Sequence, residues 1–89
     1  MAEVTPNVFT VIQSYGGLKE AYFEVASATA ADTINFAGHN VSGAKICILQ
    51  DDGAAVNAAI SGDDANIVTV GTGPSEDKLV GRILYNEYL

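Results

Sequence analysis

Eighty-nine residues make one domain at most, since compact domains run to roughly 100–150 residues. Hydrophobic side chains form 48% of the chain and charged ones 17%, which is too apolar for a disordered acidic tail. Eleven acids against four bases leave a net charge of −7, and four dispersed cations cannot form the phosphate-neutralising stripe of a nucleic-acid binder.

The first residues, 1–6, are polar and contain Pro6; they read as a flexible N-terminal arm ahead of a single domain over 7–89. They carry neither a basic n-region nor an apolar h-region, so no secretory signal is expected. Residues 7–14 (NVFTVIQS) are rich in β-branched and aromatic side chains and read as a first strand, ended at Tyr15-Gly16-Gly17. Residues 18–26 alternate, with Ala21, Phe23 and Val25 on one face and Glu20, Tyr22 and Glu24 on the other, the period of a half-buried strand. Residues 27–31 (SATAA) form a loop or a short helical turn, and Ile34 and Phe36 then share a face.

In the middle of the chain, Ile46-Cys47-Ile48-Leu49 is a continuous apolar run, which suits a strand covered on both faces. Asp52-Gly53 between two apolar runs is a hairpin signal, because the turn demands positive φ. Strands over 43–50, 54–61 and 66–70 therefore read as a meander across 43–71. A polar loop over 71–78 leads to a closing strand whose inward residues are Leu79, Ile83 and Tyr85; in the opposite parity, Val80, Arg82 and Leu84 turn inward and Tyr85 outward. About seven short strands with turns every 8–12 residues or so predict an all-β fold, a small antiparallel sandwich or barrel. A domain of this size buries about two-thirds or less of its unfolded surface. With one cysteine and no metal motif, self-association or docking on a larger partner is the remaining way to bury more.

Residues suited to catalysis do not assemble. His39 in Gly38-His39-Asn40 has no nucleophile elbow to serve and reads as a turn residue. Cys47, flanked by isoleucines, reads as core rather than as a reactive thiol, and one Cys with one His cannot make a structural zinc site. The acid pairs Asp51-Asp52 and Asp63-Asp64 sit at the two turns of one predicted strand, roughly 20–25 Å apart at about 3.3 Å per residue. They read as solvated turns rather than as one calcium site. Gly71-Thr72-Gly73-Pro74-Ser75 lacks the Gly-Lys of a phosphate loop and is followed by acids. No enzymatic activity, cofactor or metal is expected, and no run approaches the roughly 18 apolar residues of a membrane helix. A reducing cytoplasm is the expected site of synthesis.

The succession Asp32-Thr33-Ile34-Asn35-Phe36, then residues 44–53 (AKICILQDDG), then 56–61, then Asn66-Ile67-Val68-Thr69-Val70-Gly71 resembles the small β-rich virion proteins of tailed bacteriophages. Among these, chains near this length resemble capsid decoration proteins. The resemblance implies a non-enzymatic protein on the outer surface of the virion capsid, made in the host cytoplasm, bound to the major capsid protein and self-associating as a dimer or trimer. The expected contact residues are Val4 and Pro6 in the arm, with the aromatic anchors Phe9, Tyr15, Tyr22, Tyr85 and Tyr88. A tail or head-completion component is the neighbouring possibility. The rival readings are a sugar-binding module stacking on Tyr15, Tyr22 or Tyr88, and a calcium-stabilised module built on the Asp turns.

Overall fold

The structure, a computed structural model, describes residues 2–86. It is all-β, with nine strands rather than about seven: β1 (Glu3–Val4), β2 (Val8–Tyr15), β3 (Leu18–Ala28), β4 (Thr33–Asn35), β5 (Ile46–Asp51), β6 (Ala54–Val56), β7 (Ala58–Ser61), β8 (Ile67–Val70) and β9 (Asp77–Asn86). The larger sheet has the order β2-β3-β9-β5-β6, and the smaller one the order β1-β4-β8-β7. All pairings are antiparallel except β1 with β4. The shortest extent of the molecule is 19 Å, which suits two sheets packed about 10 Å apart with side chains on their outer faces.

Alternation along β3 and β9 builds the core. Ala21, Phe23 and Val25 point inward from β3, and Leu79, Ile83 and Tyr85 from β9, all within 3% of full burial. Ile34, Val68 and Val70 answer them from the smaller sheet, and the Phe23 and Phe36 rings meet edge to face at 4.9 Å. The first parity of the closing strand is thus the observed one. Gly81 stands between β3 and β5, where a Cβ would collide with the Ile48 carbonyl oxygen and lie 2.9 Å from the Phe23 ring. Only glycine lets the two backbones and the ring close up here.

The Asp52-Gly53 hairpin forms as expected: Asp51 pairs with Ala54, and both loop residues have positive φ, 51° and 85°. The meander does not. The predicted strand over 54–61 breaks at the exposed Asn57, so that β6 pairs with β5 in the larger sheet while β7 pairs with β8 in the smaller one. The Asn57 carbonyl accepts the Gly71 N–H at 2.8 Å, fixing the corner at which the chain changes sheets.

The expected N-terminal arm is also corrected. Residues 3 and 4 form β1, parallel to β4, with Glu3 opposite Thr33 and Val4 opposite Ile34. The Asp32 carboxylate holds the segment in place, accepting the Ala2 N–H at 2.8 Å on one oxygen and the Thr29 N–H at 2.9 Å on the other. Asp32 is itself 8% exposed. These two backbone donors, Ala2 first, hold its carboxyl below the usual carboxylate range. Pro6 is buried, so the turn into β2 is packed rather than free.

Candidate docking surface

The outer face of the larger sheet carries side chains from four strands in cross-strand rows. Ile46 lies beside Leu84, which lies beside Glu20; Ile48 lies beside Arg82, which lies beside Tyr22. The apolar run on β5 was expected to be covered on both faces. Only Cys47 and Leu49 turn inward, and Ile46 and Ile48 are 55% and 56% exposed. Among the described residues no further layer lies on this side of the sheet. Together with Tyr15, Leu18 and Leu84, the two isoleucines line a shallow, largely apolar depression of about 340 Å³.

A polar border closes the depression. The Tyr15 hydroxyl lies 2.8 Å from Glu20 Oε1 and 2.8 Å from Gln13 Oε1, and Arg82 Nη1 lies 3.4 Å from Glu20 Oε2. Hydrogen bonding to the Glu20 carboxylate, ahead of desolvation, pushes the Tyr15 phenol above its ordinary pKa, so it remains a donor. One row along, the Tyr22 hydroxyl donates to Glu24 Oε2 at 2.6 Å and Lys78 Nζ approaches Glu24 Oε1 at 3.2 Å. The Tyr22 hydrogen bond, followed by Lys78, lowers the Glu24 pKa. Both tyrosines are therefore engaged with carboxylates through their hydroxyls.

At the other end of the face, Asp51, Asp52 and Asp77 surround a polar depression beside Lys78. Partial desolvation, then a hydrogen bond shared with Asp77 and the charges of Asp77 and Asp52, raise the Asp51 pKa. Among the described residues, no three His, Cys, Asp or Glu side chains are grouped to hold a metal ion. Cys47 packs against the core, and burial pushes its thiol up to about 12, which leaves it protonated and unreactive at neutral pH. The loop over 71–76 folds back on the chain: Ala30 donates its N–H to the Pro74 carbonyl and Glu76 its N–H to Thr29 Oγ1. No described helix is long and apolar enough to cross a membrane.

Of the expected contact residues, the structure brings Tyr15 and Tyr22 to this face. Tyr85 is only 3% exposed and belongs to the core, which removes it as an anchor. Phe9 points inward too, packed against the core and stacked on His39 with ring centroids 4.5 Å apart. That stacking gives His39 a packing role in addition to its place in the turn. Val4 is half-buried and packs against the core from β1, and Pro6 is buried. Tyr88 lies outside the described residues. Sequence reasoning missed Ile46, Ile48, Leu18 and Leu84. The signal was present in the β5 run, but its exposed half was expected under a layer that the described residues do not supply. No protein family, curated protein or solved structure matches this chain; its function has to be read from its own surface.

Proposed function

We propose that the chain is a non-enzymatic virion structural protein that decorates a phage capsid, binding the outer surface of the major capsid protein shell through the outer face of its larger sheet. One observation supports this reading: Ile46 and Ile48, both more than half exposed, stand side by side on a regular strand next to Leu84. Scattered surface isoleucines are ordinary, but a contiguous apolar strip on a rigid sheet, bordered by Glu20 and Arg82, is the composition of an interface core with a polar rim. The excess of negative charge elsewhere keeps a protein present in many copies soluble and repels packaged DNA.

Co-sedimentation with empty capsids assembled from the major capsid protein of the same genome tests the proposal. The wild-type chain is expected in the pellet at a fixed ratio to capsid subunits. The double substitution Ile46→Lys, Ile48→Lys is expected to leave it in the supernatant with its thermal unfolding unchanged. A wild-type chain that stays in the supernatant, or a double variant that pellets equally well, overturns it.

A further inference from the structure

Among the described residues four strand edges terminate the two sheets, and they are not alike. β1, β6 and β7 have two, three and four residues, and short edges are one of the ways a β-protein avoids pairing with other chains. β2 is the exception, with eight residues at the free edge of the larger sheet and the six from Thr10 to Tyr15 exposed. It contains no charged side chain and no proline, two further protections, although the chain as a whole carries −7; its one protection is a bulge between Val11 and Gln13. Val11, Ile12 and Tyr15 are each nearly half exposed along it. About every second residue of such an edge directs its N–H and C=O away from the sheet, ready to extend the ladder.

We propose that β2 is a homodimer edge: two copies of this chain join by antiparallel pairing of their β2 strands, making one continuous sheet of the two larger sheets. The occupant follows from the edge itself: β2 carries no charge that would select an acidic or basic partner, and an antiparallel copy meets it with the same uncharged, partly apolar side chains. Two molecules of −7 repel each other over most of their surfaces, and β2 is the long edge along which they can meet without opposing like charges. The symmetry follows from the edge. A strand paired with its own copy is related by a two-fold axis and closes at two. A closed trimer would need a second, different edge, and the other three are too short to supply one. The bulge between Val11 and Gln13 bends β2 and limits the rungs a partner can add, so the expected dissociation constant is on the order of micromolar. Pairing would also set the two Tyr15 faces side by side, but the dimer does not rest on the capsid reading and stands if that fails.

Sedimentation velocity of the full chain over a concentration series tests the proposal. The expected result is a monomer–dimer equilibrium that tightens as salt is raised to roughly 0.5 M, because screening weakens the repulsion between copies. Ile12→Lys is expected to weaken the dimer roughly tenfold or more, although it makes the chain less negative overall. Ala59→Lys, a matching charge on the exposed edge of β7, is expected to leave it intact. Amide hydrogen exchange on the wild-type chain reads the pairing without any substitution: protection in β2 rises with protein concentration, while protection in β7 does not. A chain that is monomeric at all concentrations, a trimer, or a dimer broken by Ile48→Lys but not by Ile12→Lys would each overturn the proposal. So would β2 protection that is independent of concentration.

Discussion

Ile48 and Leu49 are neighbours in the chain and opposites in the fold. Leu49 sits 1% exposed between Val56 and Gly81 on the inner face of the larger sheet, whereas Ile48 is 56% exposed on the outer face beside Arg82. The inner face has its complement in the smaller sheet, and folding accounts for every apolar residue there. The outer face is apolar at one end, and no layer among the described residues covers it. Leu49 is hydrophobic because the fold needs it; packing among the described residues does not account for Ile48, which is why the docking proposal rests on the outer face and not on the inner one.

The widest separation between the two faces should come from truncating the pair in turn. Leu49→Ala is expected to cost roughly 2–5 kcal/mol, the range for emptying a buried leucine site, and Ile48→Ala no more than about 0.5 kcal/mol. Urea midpoints at constant slope measure both. Equal losses would mean that the outer face is packed against something within the chain. Gly81→Ala sharpens the same comparison at the seam between β5 and β3. The added methyl must displace the Ile48 carbonyl or the Phe23 ring, and about 1–3 kcal/mol is the usual cost of overpacking a core. A neutral Gly81→Ala, read from the same denaturation curves, would show that β5 is free to shift and that Ile48 is not held outward.

The smallest effects are those of the carboxylates, and here inside and outside differ in sign. The Asp32 pKa is lowered in the folded chain by the Ala2 and Thr29 amides, so its stabilising contribution is complete above the unfolded value of about 4 and is lost as pH falls through the folded value. The Asp51 pKa is raised by desolvation and by its acidic neighbours. Its ionised form therefore opposes folding at neutral pH, and that opposition fades as pH drops through the raised value. Asp32→Asn should accordingly destabilise the protein at pH 7, with the difference shrinking below about pH 4, while Asp51→Asn should stabilise it at pH 7 and lose that advantage in acid. Thermal melts of the two variants over a pH series check both signs, and parallel behaviour would remove the distinction.

Strand identity was legible wherever polarity changed with period two. Ala21, Phe23 and Val25 on β3 and Leu79, Ile83 and Tyr85 on β9 face inward as their alternation requires, and Asp52-Gly53 forms its turn because few residues other than glycine accept the positive φ it needs. Local composition also carried the all-β class. What local composition could not carry was which surface has a neighbour. An apolar run such as 46–49 has the same sequence whether one face is covered or both, so only the packing of the smaller sheet separates Leu49 from Ile48. Asn57 could divide β6 from β7 only because Gly71 comes from fourteen residues further on to donate its N–H to the Asn57 carbonyl. The N-terminal residues became a strand because Asp32, thirty positions away, offers them a buried carboxylate. Alternation is written in the bonds between neighbours and is visible in the chain itself, whereas burial depends on partners distant in sequence and exists only once the two sheets have come together.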